Sequence, residues 1–242
     1  MARAIATRFS KWRPAELWRV ARRLPRSRIP LRSVRFGDFR RLTPIDGNYG
    51  FGRGTPVDRY YIERFLARNA ADVTGRVLEI GDNTYTSRFG ENRVIRSDIL
   101  HVRASDTATF VGDLSADNPL PESSFDCIIF TQTLQLIFDM RAALKSLHRA
   151  LRAGGTLLLT VPGITKIDPD EWSWYWSLTP LAARRLLEES FRPDNILVES
   201  HGNVLAAISF LHGLAAEELT PNDLDQNDLS YPVTVAARAT KG

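Results

Sequence analysis

The run Val77-Leu78-Glu79-Ile80-Gly81 constrains this chain most: an apolar strand that ends in an acid and a glycine, with Asp98 following Gly81 by 17 residues and Asp113 following Asp98 by 15. Each acid stands at the end of an apolar run, so the three predict successive strand ends of one sheet. In open α/β sheets ligands bind in the crevice beyond the carboxyl ends of the strands. Carboxylates placed there accept hydrogen bonds from ribose hydroxyls or an adenine amine. A nucleoside-bearing ligand is the first expectation.

The punctuation around this run predicts an α/β fold. Thr55-Pro56-Val57-Asp58 reads as a helix start, with Thr55 as N-cap, Pro56 in the first turn and Asp58 near the positive end of the dipole. Val57, Tyr61, Ile62, Phe65 and Leu66 then line one face, which predicts a helix packed on the sheet. Strands are expected at 76–80, 93–98, 109–113 and 125–131, the last a fully apolar run of the kind found in buried parallel sheets. Asp139 caps a helix whose Leu144, Leu147 and Leu151 face the core, and Gly154-Gly155 end it before a strand at 156–161. Thr179-Pro180 starts another helix, running to about Ser190. A strand near 196–199, a helical stretch at 204–219 and a closing strand at 231–237 complete the series.

Composition divides the chain in two. Residues 1–41 hold 13 basic residues against Glu16 and Asp38, a net charge of +11, so the remainder carries −7 within a chain total of +4. The reading is a basic N-terminal arm over 1–42 and one domain over 43–242. Within the arm Leu17, Trp18, Ala21 and Leu24 recur at helical spacing among arginines, a pattern suited to peripheral contact with an anionic membrane. A solvated arm is the competing reading. The single cysteine, Cys127, falls in an apolar run and is expected to be a buried hydrophobe, which fits a reducing, cytoplasmic setting. No apolar stretch reaches the ~18 residues of a membrane span, and the N-terminus has no apolar signal-peptide core.

The middle of the chain resembles the class I S-adenosylmethionine-dependent methyltransferases. Leu120-Pro121-Glu122-Ser123-Ser124-Phe125-Asp126-Cys127-Ile128-Ile129, then residues 144–152 and Ala153-Gly154-Gly155-Thr156-Leu157, are similar to that family's passage from fourth to fifth strand. The resemblance covers about residues 45–240. It implies a Rossmann-like, seven-stranded, mostly parallel sheet with helices on both faces, and S-adenosyl-L-methionine as cofactor. Carried over residue by residue, it implies Glu79, Gly81 and Asn83 at the cofactor's methionine end, Asp98 on the ribose hydroxyls, Asp113 near the adenine amine, and Ile99 and Leu114 flanking the ring. The segment Trp174-Tyr175-Trp176-Ser177-Leu178-Thr179-Pro180 is similar to one that borders the acceptor pocket in the family. Arg53-Gly54-Thr55-Pro56-Val57-Asp58-Arg59 and Tyr231-Pro232-Val233 resemble a subgroup associated with glycan assembly.

The glycine-rich turn departs from the family pattern, with Asn83 and Tyr85 where two further glycines are usual. Asparagine tolerates left-handed backbone; Tyr85 is expected either to pack over the turn or to fill part of the methionine subsite. Methyl transfer relies mainly on proximity and alignment, and a hydroxyl acceptor adds a need for a base. The candidates are Asp168, Asp170, Glu171 and His201, of which His201, directly after the sixth strand, is preferred. Trp172, Trp174, Tyr175 and Trp176 concentrate flat amphipathic faces suited to stacking on a sugar or aromatic acceptor, and Arg53 lies in a glycine-rich lead-in that reads as a lid. No spacing suggests a metal site. The expected function is methyl transfer to a small-molecule or glycan hydroxyl, with a non-catalytic scaffold in a membrane-associated assembly as the alternative. A nucleic-acid substrate is disfavoured, because Thr131-Gln132-Thr133-Leu134 stands where base methyltransferases carry Asn or Asp followed by Pro-Pro and an aromatic.

Overall fold

The computed structural model describes residues 32–116, 119–168 and 173–242. The chain divides into two units, Met1–Leu42 and Thr43–Gly242. In the first, the described residues hold one short 3-10 turn, Gly37–Phe39. The amphipathic face of Leu17, Trp18, Ala21 and Leu24 lies outside the described residues, as do Asp170, Glu171 and Trp172. Among the described residues no helix is long and apolar enough to cross a membrane.

The second unit is built on seven strands: β1 (Gly75–Ile80), β2 (Val94–His101), β3 (Phe110–Val111), β4 (Phe125–Thr131), β5 (Leu151–Pro162), β6 (Ile196–His201) and β7 (Thr234–Thr240). They form one sheet in the order β3-β2-β1-β4-β5-β7-β6, with only β7 antiparallel to its neighbours. Period-two alternation assigns the two faces. Val77, Cys127, Ile129 and Leu158 pack with Ile62, Phe65 and Leu66 of α1 (Val57–Arg68) and Tyr85 of α2 (Thr84–Gly90). Leu78, Ile128, Leu157 and Leu159 face the other way, onto Leu144 and Leu147 of α3 (Met140–Ala150) and Ala183 and Leu187 of α4 (Pro180–Leu187). Two short helices, α5 (Val204–Leu211) and α6 (Pro221–Asp225), lie between β6 and β7.

Several boundaries differ from those expected. Thr55 does not cap α1. Its hydroxyl donates to Glu217 Oε1 at 2.7 Å and its N–H to Glu217 Oε2 at 2.9 Å, so Pro56 occupies the N-cap position without a side-chain cap. The third helix stops at Ala150, and Leu151 already pairs with Phe125; Gly154, at φ +77°, lies inside β5 instead of ending the helix. The helical stretch expected over 204–219 ends at Leu211, and the closing strand begins three residues late, at Thr234. β2 continues three residues past Asp98, and this shift changes the site.

Candidate functional site

A cleft of about 730 Å³ opens over the carboxyl ends of β1, β2 and β4, a size usual for cofactor and small-molecule sites. The chain leaves β1 through Gly81, whose φ of +86° favours glycine, and a side chain there would meet no atom within 4 Å. Gly81 lines the cleft, so its missing side chain leaves room for a ligand to approach the backbone. On the far side Asp113 and Leu114 line the wall after β3; Asp113 Oδ1 accepts from Ser115 N at 2.8 Å and Ser115 Oγ at 2.7 Å, and Leu114 is buried. Gly81, Asp113 and Leu114 thus line one and the same cleft.

Four other residues expected at the cofactor do not line the cleft. Asp98 pairs with Leu78, two places short of Leu100, whose carbonyl oxygen accepts from Gly81 N at 3.0 Å, so it sits inside the sheet and not at its edge. It is 1% exposed and held by two guanidinium groups: Arg76 Nε donates to Oδ2 at 2.6 Å and Arg96 Nη2 to Oδ1 at 2.9 Å. The strand end that Asp98 was expected to occupy belongs to His101, which lines the cleft. Its Nδ1 lies against the backbone of Arg103, 2.8 Å from the oxygen and 3.0 Å from the nitrogen. Ile99 faces away, opposite Asp98. Glu79 is also buried, and its carboxylate accepts from Tyr85 N at 3.1 Å and Thr86 N at 2.7 Å, satisfying the first turn of α2. Burial pushes its carboxyl above the usual range, opposed by those hydrogen bonds. Asn83 has φ −126°, so it supplies no left-handed turn, and Gly81 alone has a positive φ in this segment.

At its other end the cleft gathers Asp168, Trp174 and Tyr175 from the expected set. Phe138 joins them, edge-on to Tyr175 with centroids 5.3 Å apart. Trp176 instead packs on the core, its Nε1 donating to Ile137 O at 3.2 Å. Arg53 is not a lid residue over the cleft: its Nε donates to Glu218 Oε2 at 2.9 Å, and this contact holds the Glu218 carboxyl down at about 2. His201 lies on the edge strand β6, separated from β4 by β7 and β5. It is stacked on Tyr61 at 5.8 Å and bound to Glu199 Oε1 at 3.0 Å, and it does not line the cleft.

Gln132, Gln135, Asp58 and Arg59 also line the cleft, and sequence reading gave none of them a ligand role. Gln132 follows β4 with φ +46°, a strained conformation of the kind retained at functional sites. Gln135 is 1% exposed, yet its Oε1 has no hydrogen-bond partner among the described residues, and neither has Trp174 Nε1. The signal was present in Thr131-Gln132-Thr133-Leu134-Gln135, polar residues directly after a buried strand. Asp58 Oδ1 accepts from Arg59 N at 2.8 Å, and burial pushes its carboxyl above the ordinary range. A carboxyl whose folded-state value is raised stabilises the fold fully only below its ordinary value of 3.8, and that contribution disappears as pH rises through the folded-state value. Asp58→Asn is therefore expected to raise the melting temperature of the ligand-free protein at pH 7, with the gain vanishing toward pH ~4. A variant no more stable than the parent at pH 7 counts against a desolvated carboxylate.

Residues 65–159 match the family model described as a methyltransferase domain. The chain is similar to a probable S-adenosylmethionine-dependent methyltransferase of Mycolicibacterium smegmatis, 28% identical over 160 residues, 62% of this chain and 57% of the relative. It thus spans little more than half the length of that relative. A crystal structure of an S-adenosylmethionine-dependent methyltransferase from Archaeoglobus fulgidus superposes with a TM-score of 0.52 at 15% identity, over 76% of this chain and 94% of that one. The chain has the Rossmann-like fold of solved S-adenosylmethionine-dependent methyltransferases, and residues 65–159 match a methyltransferase domain.

Proposed function

We propose that the protein is a methyltransferase that modifies a hydroxyl of a small molecule or glycan. The observation that carries the reading is one continuous cleft with two different ends: Gly81, Asp113 and Leu114 on the cofactor side, Phe138, Trp174 and Tyr175 on the other. When bound, S-adenosylmethionine supplies an electrophilic methyl group; the chain's own part is to align an acceptor oxygen with it and take up the proton. Gln135 Oε1 accepts hydrogen bonds and Trp174 Nε1 donates one, and both lack partners among the described residues. A hydroxyl offers the complement of each, a donor hydrogen and acceptor lone pairs. The aromatic faces suit the apolar side of a sugar ring. The resemblance of Arg53-Gly54-Thr55-Pro56 and Tyr231-Pro232-Val233 to the glycan-associated subgroup favours a sugar over a phenol.

An assay of S-adenosylhomocysteine release against nucleotide sugars, lipid-linked sugars and simple phenols tests the reading. Turnover is expected on a sugar-containing acceptor, with Trp174→Ala raising KM several-fold and leaving kcat within about threefold, because stacking stabilises ground and transition states alike. Turnover confined to phenols would remove the glycan assignment, and tight cofactor binding without turnover on any acceptor would favour the scaffold.

A further inference from the structure

Arg59 places a positive charge in the cleft, and among the described residues its guanidinium enters no ion pair. Residues 58 and 59 both line the cleft from the first turn of α1, yet their side chains form no ion pair, and no carboxylate of the described residues comes within 4.0 Å of the guanidinium. Arg59 Nη1 donates instead to the hydroxyl of Tyr85 at 2.5 Å. Its Cζ lies 5.8 Å from the Tyr85 ring centroid and 6.0 Å from that of Phe51. The group is half-buried, and its remaining N–H donors have no partner among the described residues. A partly desolvated guanidinium in this state gains most from an anion that accepts its parallel donors. One residue away, the Asp58 carboxylate accepts from the Arg59 backbone N–H through Oδ1.

The position within the sheet says which part of a ligand meets these charges. Tyr85 belongs to α2, which follows the Gly81 turn at the end of β1, whereas Asp113 and Leu114 follow β3, two strands away in the order β3-β2-β1. With adenosine on the β2–β3 side, the groups beside β1 face the other end of the cofactor. That end is an α-amino acid, carrying one carboxylate and one ammonium. We infer that Asp58 and Arg59 form a cradle for it, Arg59 taking the α-carboxylate and Asp58 the α-ammonium, with Tyr85 as the positioning residue for Arg59. The inference rests on the cofactor assignment. It also accounts for Tyr85 at a position where the family pattern implies glycine: the ring packs against Phe89 with centroids 6.0 Å apart, leaving the hydroxyl to hold the guanidinium.

Calorimetry with two ligands tests it. S-adenosylhomocysteine carries the amino-acid end; 5′-methylthioadenosine has the same adenosine and thioether but lacks that end. The parent is expected to bind the first more tightly. Arg59→Ala should weaken S-adenosylhomocysteine binding by roughly 10- to 100-fold, the range for a charged hydrogen bond, and change methylthioadenosine binding by less than about twofold. Asp58→Asn and Tyr85→Phe, which preserve shape, should narrow the ratio of the two affinities in the same direction, Tyr85→Phe by the smaller factor; these two carry the test if Arg59→Ala does not fold. Equal losses for both ligands, no loss for either, or a parent that binds both equally overturns the inference alone. A parent that binds neither ligand overturns the cofactor assignment and the inference with it.

Discussion

Asp98→Ala is expected to destabilise the fold by about 3–4 kcal/mol while leaving the affinity for S-adenosylhomocysteine within about twofold of the parent. Removing one partner of a buried ion pair typically costs about 3–5 kcal/mol, because the remaining charge is stranded away from water. Here the lower part of that range applies, since the Arg76 side chain is 21% exposed and Arg96 57% exposed, so both guanidinium groups regain some hydration. Arg76 also keeps its place over the ring of Phe125, with Cζ 4.8 Å from the centroid. Asp98→Asn, which retains an acceptor oxygen, should cost less. Urea denaturation reads the stability and calorimetry the affinity. A ribose-binding role for Asp98 would give the opposite pair of results: stability preserved and binding lost.

The reason this acid misleads a reader of the sequence is physical. Ile99 and Leu100 extend the apolar run past Asp98, so the acid interrupts a strand that it seemed to close. Where β2 ends is decided by its register on β1, in which Ile80 lies opposite Leu100, and that register depends on contacts some 20 residues apart in the chain. The same holds for Thr55, whose capping oxygen is recruited by Glu217, 162 residues away. Local pattern sufficed where burial itself supplies the pattern: the apolar runs of β1 and β4, the stripe of α1, and the caps Asp139 and Thr179, which accept from Ala142 N and Ala182 N. Within the cleft, Gly81, Asp113 and Leu114 were legible because they follow strands directly. Arg59 and Gln135 were not, because their significance lies in hydrogen bonds they do not make, which only a folded arrangement reveals.

Asp168→Asn is expected to lower kcat by about 10²-fold or more, with cofactor affinity unchanged, and His201→Ala to leave kcat within about twofold. The sequence favours His201 over Asp168 as the proton acceptor, and their surroundings reverse that order. His201 is engaged by Glu199 and Tyr61 at the β6 edge, outside the cleft, so no acceptor bound there reaches it. Asp168 lines the cleft with Trp174 and Tyr175, and the Lys166 ammonium lies 3.7 Å from its Oδ2. That ammonium is itself anchored, donating to Gly47 O at 2.7 Å and standing 4.4 Å from the Tyr49 ring centroid. General-base assistance contributes about 10²–10⁴-fold, so losing it leaves the part of the rate that comes from alignment alone. Single-turnover rates with a turned-over acceptor distinguish the outcomes: a His201→Ala rate as low as that of Asp168→Asn would return the base to β6, and an Asp168→Asn rate equal to the parent's would leave alignment as the whole of the catalysis.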